Sequence, residues 1–445
     1  MLFILWLSYI PVALVCVGRI VGAKLAPASA AAWILAVVCL PWFGAALYVL
    51  TAWFRVPSAR RPPVRLPFVE AVVAGGCGSR ADARNRVELL NDGGETFSAL
   101  ISALHRARRT IHLEYYIFDD DRIGCAIAEV LLRKTRAGVT VRLLYDAVGS
   151  PLPSRGMLRR LREGGVEVRA FEPWRFPWLR PSFNVRNHRK IAVVDGRTAF
   201  LGGINIARRY LEGNELGRWR DQHLRIEGRA VSDLQRLFAA DWVRAGGAAF
   251  DAGSATAPVA DVPGVRVHIG WSQTGSTRRT LHDAFVAAVM QARREVRIST
   301  PYFIPPCTLR HVLCIASAGG VRVRLMVPAR ADSRIAALAG ESYFGELLDA
   351  GVEIYLYDNG FLHSKTLVVD ESMASVGTAN LDYRSLFINW EVAAFVYDGR
   401  FARSAAATFD RDVALCRRLT ASEYAARTPL RRAAAACARL LAEEL

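Results

Sequence analysis

The sequence lacks the paired cysteines that mark a disulfide framework or a zinc site. Its 8 cysteines are scattered without a CxxC pair, and we interpret them as small core hydrophobes in a reducing compartment. Acidic residues are few relative to basic ones: the chain has 41 Asp and Glu but 58 Lys and Arg, which gives a net charge of +17. This imbalance indicates a polyanionic partner, and an anionic bilayer surface satisfies it as well as a nucleic acid does.

Charge is missing altogether from two apolar runs near the N-terminus. Residues 1–18 and 25–54 contain no Asp, Glu, Lys or Arg, and each run is near or above the length that spans a bilayer core. Arg19 and Lys24 lie in the short loop between them, so we predict a transmembrane helical hairpin over residues 1–60. The cations that follow the second run outnumber those of the loop, which places the remaining chain in the cytoplasm by the positive-inside bias.

A signal peptide and a buried helix are the alternatives to this hairpin. The first run has the length of a signal peptide, but the positively charged n-region is missing. Either run could also be a buried helix of a soluble protein, although two such runs within 54 residues favour the hairpin.

The rest of the chain predicts an α/β fold. With 445 residues, 52% of them hydrophobic, it is long enough for two or three domains. From about residue 65, apolar strands alternate with amphipathic helices, and the same order recurs after residue 263. Residues 246–264 are rich in Gly, Ala and Pro without periodicity and predict a linker. We expect two pseudo-symmetric lobes of mixed β-sheets flanked by helices, over residues 61–245 and 265–445, the second with a C-terminal helix.

One motif is written twice without a gap. The first copy, HRKIAVVDGRTAFLGGIN, covers residues 188–205, and the second, HSKTLVVDESMASVGTAN, covers residues 363–380. The matched pairs are His188 with His363, Lys190 with Lys365, Asp195 with Asp370, Gly202 with Gly377 and Asn205 with Asn380. A single HxK is most simply a core histidine and a solvated lysine, because such short patterns recur freely. Two matched copies favour a functional role.

The chemistry of each copy follows from its predicted strand. The apolar residues IAVV and TLVV between Lys and Asp predict a buried strand. His and Lys are two residues apart on this strand, so their side chains point to one face, and the Asn returns from the Gly turn. An imidazole, an ammonium and a carboxamide make a phosphate site that needs neither a metal nor a cofactor.

The doubled pattern resembles the signature of the phospholipase D superfamily: HxK, four residues, Asp, six residues, then G-(G/S)-x-N. The following LDYRS, residues 381–385, is similar more narrowly to the bacterial cardiolipin synthases. The resemblance implies two phospholipase D-like lobes and a covalent phosphatidyl-histidine. It implies that His188 is the nucleophile and His363 the general acid/base, by the family's usual order, although the symmetry of the sequence does not choose between them.

The resemblance also implies roles for the other candidate catalytic residues. The groups that would hold the non-bridging phosphate oxygens are Lys190, Lys365, Asn205 and Asn380. Asp195 and Asp370 complete the set, and in this family they pack the turn without touching substrate. A nucleophilic histidine needs a carboxylate partner; Glu391 stands where relatives place it, and Asp221 is its counterpart in the first lobe. The alternative is that both carboxylates pair with surface arginines.

Further positions similar to the family are candidate substrate contacts at strand ends. They are Tyr115, Tyr116, Tyr145, Asp146, Gly149, Ser150 and residues 219–228 and 301–303. Thr378 stands where the first copy has Gly203, and its hydroxyl would add a phosphate donor in the second lobe only. Residues 174–180, WRFPWLR, suit a lipid headgroup zone. A stacking platform for single-stranded nucleic acid uses the same residue types, and the hairpin favours lipid.

The sequence therefore predicts a cardiolipin synthase-like phosphatidyltransferase, multi-pass in the bacterial inner membrane. It would join two phosphatidylglycerols into cardiolipin plus glycerol, with phosphatidylglycerol and other anionic phospholipids as partners and no nucleic acid. A phospholipase D or another headgroup-exchanging transphosphatidylase is the alternative. A nuclease of the superfamily is favoured by the charge alone, and an inactive membrane scaffold is disfavoured by the two intact His/Lys/Asn sets. Donor and acceptor identities and the oligomeric state stay open.

Overall fold

The structure is a computed structural model. It describes residues 2–22, 27–40, 42–51, 68–150, 155–171, 184–253, 264–274 and 278–444. The Trp/Arg segment 174–180, residues 254–263 of the predicted linker and the arginines between residues 55 and 65 lie outside the described residues.

The described part of the N-terminal segment forms three helices: α1 (Leu2–Gly22), α2 (Pro27–Cys39) and α3 (Phe43–Thr51). They share a small core in which the hydroxyl of Tyr9 donates to the carbonyl of Val37 over 2.6 Å. A helical hairpin requires the second apolar run, residues 25–54, to form a single helix. This run instead contains two helices, α2 and α3. A Cβ on Gly44 would lie 2.1 Å from the Ala36 carbonyl oxygen, so only glycine lets α3 approach α2 so closely. Among the described residues, no helix combines the length and the apolarity that a membrane crossing requires.

Lobe one contains, within the described residues, a seven-stranded sheet and one short outlying strand. The strands are β1 (Asn85–Leu90), β2 (Thr110–Tyr115), β3 (Thr140–Asp146), β4 (Glu167–Phe171), β5 (Lys190–Val194), β6 (Thr198–Gly202), β7 (Trp219–Arg220) and β8 (His223–Gly228). The helices are α4 (Phe68–Cys77), α5 (Gly93–Arg106), α6 (Arg122–Arg136), α7 (Arg155–Glu163), α8 (Arg209–Glu212) and α9 (Ala230–Arg244). The strand order is β1-β8-β6-β5-β2-β3-β4.

Lobe two contains, in its described part, an eight-stranded sheet and three short strands. The strands are β9 (Arg266–Ser272), β10 (Glu295–Ser299), β11 (Phe303–Ile304), β12 (Arg322–Pro328), β13 (Glu353–Tyr357), β14 (Phe361–Leu362), β15 (Thr366–Val369), β16 (Met373–Gly377), β17 (Leu381–Asp382), β18 (Glu391–Tyr397) and β19 (Cys416–Leu419). The helices are α10 (Thr280–Met290), α11 (Cys307–Ala318), α12 (Arg334–Glu341), α13 (Phe344–Asp349), α14 (Tyr383–Phe387), α15 (Gly399–Val413), α16 (Ala421–Ala425) and α17 (Pro429–Arg439).

The two sheets repeat one topology. In lobe two the order is β9-β18-β16-β15-β10-β12-β13-β19, which reproduces lobe one with β19 added at one edge. In each sheet the first three strands of the βαβ series pair in parallel and the motif strand joins them antiparallel. The prediction of two α/β lobes with mixed sheets is confirmed. Helix α4 precedes the strands of lobe one in the chain, but its Val69, Val72 and Val73 pack in the core of lobe two.

A shared core joins the lobes and explains the uninterrupted apolar runs of the motif. Ile191 and Val193 of β5 pack with lobe-two residues such as Val368 and Val376. Ala192 and Val194, on the other face of β5, pack with the helices of lobe one. Both faces of the strand are therefore buried, and a strand in that position has a continuous apolar sequence instead of an alternating one. The polar ends of the two motif strands are brought together at the edge of this core.

Candidate active site

Backbone hydrogen bonds tie each motif histidine to the opposite lobe. The amide of His188, before β5, donates to the carbonyl of Trp390 over 2.9 Å. The amide of His363, before β15, donates to the carbonyl of Arg220 over 2.8 Å. Trp390 and Arg220 each directly precede one of the two predicted carboxylates. The parallel pairing of β7 with β14 extends the second contact.

Each imidazole contacts the carboxylate that the other lobe contributes. His188 Nδ1 lies 2.9 Å and 3.1 Å from the two carboxylate oxygens of Glu391. His363 Nδ1 lies 2.6 Å from Oδ2 of Asp221. Both carboxylates are fully buried, so the alternative of pairing with surface arginines is wrong. Because Nδ1 is engaged in each ring, Nε2 is the nitrogen left for chemistry.

Burial sets the protonation of the two imidazoles. It lowers the pKa of His188, and Glu391 opposes that shift. Burial also lowers the pKa of His363 well below its ordinary value, with Lys365 and Lys190 adding to the shift. Both rings are therefore neutral near pH 7, the form that can attack phosphorus or accept a proton. Burial raises the pKa of Asp221 to about 6.

The two lysines are buried beside the histidines of their own copies. Lys190 Nζ donates to the carbonyl of His188 over 2.6 Å and lies 5.3 Å from the ring centre of Tyr116. Lys365 Nζ donates to the carbonyl of His363 and lies 2.8 Å from its Nδ1. Burial lowers the pKa of Lys190 to about 7 and that of Lys365 to about 8. A bound phosphate would favour the charged form of both ammonium groups.

The two motif asparagines differ in their contacts. Asn205 accepts from the amide of Ile117 over 3.0 Å and donates to the hydroxyl of Tyr210 over 2.7 Å. Its carboxamide therefore organises the walls of the site. Oδ1 of Asn380 is buried without a hydrogen-bond partner among the described residues. Because an amide oxygen only accepts hydrogen bonds, a phosphate contact would use the N–H₂ group of Asn380. A side-chain hydrogen bond from Asn380 opposes the rise that burial causes in the pKa of Asp382.

The motif aspartates lie at the far ends of their strands. Asp195 accepts from the amides of Arg108, Arg109 and Thr110 over 2.8 to 2.9 Å. Asp370 makes the same three bonds, at 2.7 to 2.9 Å, to the amides that open β10. Since each aspartate lies five positions along the chain from its lysine, with four residues between them, about 16 Å separates the two Cα atoms. We therefore correct the candidate catalytic set: both aspartates organise turns.

Thr378 of the second copy and Gly203 of the first stand at matched positions of the motif. Each lies against a different carboxylate, Glu391 or Asp221. The hydroxyl of Thr378 donates to Glu391, and the amide of Val392 donates to that hydroxyl over 3.0 Å. The predicted phosphate contact by Thr378 is therefore wrong, because its hydroxyl orients a carboxylate. A Cβ on Gly203 would lie 2.2 Å from a carboxylate oxygen of Asp221, so the first copy has no space for a side chain.

The central residues of the two HxK triplets also reach across the lobes, which the sequence did not reveal. Arg189 is fully buried, pairs with Asp241 and donates to the carbonyl of Ser272 over 2.9 Å. Ser364 donates to the side chain of Gln222 over 2.6 Å. An arginine directly before the apolar strand β5 is a sequence feature that could have indicated this interlobe role.

Aromatic rings surround both imidazoles. Tyr116 meets His188 edge-on with ring centres 5.0 Å apart. Trp219 and Tyr210 lie 5.1 Å and 5.6 Å from the ring centre of His363. Tyr116 and Trp219 are among the predicted substrate contacts, whereas Tyr210 is not, because α8 falls in a segment without a motif.

Among the remaining predicted contacts, Asp146 and Ser150 hold backbone amides, whereas Tyr302 contacts a side chain. Asp146 is buried and accepts from the amides of Asn187, Val148 and Gly149, each over 2.9 Å. The hydroxyl of Ser150 accepts from the amide of Phe118 over 3.1 Å. Tyr302 donates to Asp332 over 2.6 Å. Across the described ranges, no group of three His, Cys, Asp or Glu side chains is arranged as ligands for a metal ion.

Comparisons with known proteins agree with this architecture. The family model described as cardiolipin synthase, PLD-like domain, matches residues 100–242 and 285–413. Cardiolipin synthase 2 of Bacillus cereus is 44% identical over 329 residues, which cover 73% of this chain and 64% of that protein. The major cardiolipin synthase of Bacillus subtilis is 38% identical over 351 residues, which cover 76% of this chain and 71% of that protein.

A solved structure shares the fold. The crystal structure of phosphatidylserine synthase from Haemophilus influenzae superimposes with a TM-score of 0.62 at 17% identity, over 81% of this chain and 95% of that one. The chain matches the relative from Bacillus cereus over slightly less than two thirds of that protein's length. The duplicated motif, the repeated sheet topology and these matches show that the chain belongs to the cardiolipin synthase family of phospholipase D-like proteins.

Proposed function

We propose that this protein is a phosphatidyltransferase that joins two phosphatidylglycerols into cardiolipin and glycerol. The observation that carries the proposal is the pair of buried imidazoles, each held at Nδ1 by a carboxylate of the opposite lobe. Two such rings can serve opposite sides of one phosphorus atom, one as nucleophile and one as proton donor. The family membership supplies the class of substrate.

In the first step, Nε2 of His188 attacks the phosphorus of the donor lipid. A P–N bond forms, the P–O bond to the glycerol headgroup breaks, and His363 gives the departing oxygen its proton. The low pKa of His363 opposes this role in the free protein. A phosphodiester beside it adds negative charge and raises that pKa. Glu391 stabilises the positive charge that develops on the phosphatidyl-histidine.

In the second step, the headgroup hydroxyl of the acceptor lipid attacks the phosphatidyl-histidine. His363 now takes the proton of that hydroxyl, the new P–O bond forms, and the P–N bond breaks to restore His188. Lys190, Lys365 and Asn380 would hold the non-bridging oxygens, where charge accumulates in both transition states. Asn205 would act by keeping Tyr210 in place.

We further propose that residues 1–60 attach the protein to the bacterial inner membrane as a multi-pass segment, with lobes of about 61–245 and 265–445 in the cytoplasm. The two uncharged runs support this arrangement. So do the apolar side chains that α1 to α3 expose, among them Leu14, Val21, Leu35 and Phe43, each more than 60% exposed. The net charge of +17 suits anionic phospholipids as partners.

The test is to incubate the purified full chain with phosphatidylglycerol vesicles and a chelator. We expect glycerol and cardiolipin in equal amounts. Accumulation of phosphatidic acid in place of cardiolipin would overturn the synthase proposal in favour of a lipase. Phosphatidylethanolamine added as a second lipid identifies the acceptor, and plasmid DNA without metal tests for a nuclease.

A further inference from the structure

A cluster of polar groups from both lobes lies beside the catalytic pair and has no role in the chemistry above. Arg384 of α14 donates to the side chain of Asn184 over 2.7 Å and to its carbonyl over 2.8 Å. Both residues are half-buried. We call Arg384 and Asn184 the interlobe anion site, because one comes from each lobe and both present N–H donors.

This site is close to the proposed nucleophile in the chain and in space. Asn184 comes four residues before His188, and Arg384 comes four residues after Asn380. The carbonyl of Arg384 accepts from the amide of Asn389 over 2.7 Å. The carbonyl of the next residue, Trp390, accepts from the amide of His188 over 2.9 Å.

The chain's own C-terminal segment places an acidic residue at this site. A carboxylate oxygen of Glu444 accepts from the side-chain amide of Asn184 over 3.2 Å. The backbone carbonyl of Glu444 accepts from Arg384 over 3.3 Å. An anionic side chain therefore already uses the N–H donor that Asn184 offers. A guanidinium and an amide N–H₂ side by side are the groups that recognise a phosphodiester.

We propose that the interlobe anion site binds the phosphate of the acceptor lipid and that Glu444 competes for it. The inference rests on the proposed function. In an acceptor phosphatidylglycerol, the attacking hydroxyl is joined to its own phosphate by a three-carbon headgroup. When that hydroxyl reaches the phosphatidyl-histidine, its phosphate must lie close to His188. Water carries no phosphate, so this site favours the lipid hydroxyl over water.

The experiment measures the ratio of cardiolipin to phosphatidic acid in phosphatidylglycerol vesicles diluted with phosphatidylcholine, where water competes. We expect Arg384→Gln to lower this ratio about tenfold, which is the loss of one charge-assisted hydrogen bond. Arg384→Lys, which keeps the charge, should lower it less. Arg432→Gln removes an exposed arginine of the same lobe and should leave the ratio unchanged.

The proposed competition by Glu444 is tested separately with Glu444→Gln. We expect the phosphatidylglycerol content that gives half of the maximal ratio to fall several-fold, because a competing anion is removed. An equal loss of both products in Arg384→Gln would overturn the acceptor role and assign the arginine to the donor or to folding. An unchanged half-maximal content in Glu444→Gln would overturn the competition. If the wild-type chain makes no cardiolipin, the proposed function has failed instead.

Discussion

The two copies of the motif share a backbone but surround their histidines differently. His188 remains partly accessible, with 13% of its side chain exposed, and is held by a glutamate that Thr378 also contacts. His363 is more enclosed, with 9% of its side chain exposed, and is held by an aspartate packed against Gly203. A symmetric pair of motifs thus produces two unequal imidazoles. The proposed assignment gives His188 the attack on the lipid phosphate and His363 the proton transfers, and the variants below test it.

Removing either imidazole should have the largest effect and should also separate the two roles. We expect His188→Ala and His363→Ala each to lower cardiolipin formation by about 10³-fold or more. With a donor whose leaving group needs no protonation, His363→Ala should still form the phosphatidyl-enzyme, while His188→Ala should not. Mass spectrometry of the denatured protein detects the adduct. An adduct in His188→Ala alone would reverse the assignment.

Removing the charge of one carboxylate should have the next largest effect. Glu391→Gln and Asp221→Asn keep the volume of the side chain but lose the charge that orients and stabilises each imidazole. We expect about a 100-fold loss of the rate at saturating lipid in each case. Adduct formation should slow mainly in Glu391→Gln, because Glu391 contacts His188. Equal slowing of adduct formation in both variants would contradict the assignment of Glu391 to His188 and of Asp221 to His363.

The lysines predict how lipid binding depends on pH. The pKa of Lys190 is about 7 and that of Lys365 about 8 in the free protein, so both ammonium groups lose their protons as pH rises through this range. Phosphate binding needs the charged form, and the KM for lipid should therefore rise about tenfold per pH unit between the two pKa values and more steeply above the higher one. Lys190→Arg, whose charge does not titrate here, should flatten the profile. An unchanged KM between about pH 6 and 9 would show that the lysines do not bind the phosphate.

We expect the smallest loss of activity from a change at Thr378, which stands where the first copy of the motif has Gly203. Thr378→Val removes the hydroxyl that contacts Glu391, which should lower activity a few-fold and the free energy of unfolding by about 1–2 kcal/mol. Gly203→Ala is the matched change in the first copy. Its clash with the buried carboxylate of Asp221 should cost more activity than Thr378→Val and should act on the His363 side. Thermal unfolding and adduct formation measure the two effects. Identical profiles for both variants would remove the functional distinction between the copies.

The two lobes, the motif strands and the residues that carry the imidazoles and ammonium groups are predictable from the order of amino acids. They follow from local rules: β-branched runs make strands, and residues two apart share a face. The sequence also identifies Glu391 and Asp221 as candidates. It does not indicate that each serves the histidine of the other lobe, because that depends on how two sheets pack face to face.

The contacts that cross between the lobes depend instead on the folded chain. Thr378 is predicted from the sequence to contact phosphate but contacts Glu391, and Asn205 has the same predicted role but holds Tyr210. Arg189 and Arg384 have no assigned function until their partners are visible. A side chain's partner is set by loop lengths and by the packing of elements far apart in the chain, and no periodic pattern in the sequence records either quantity.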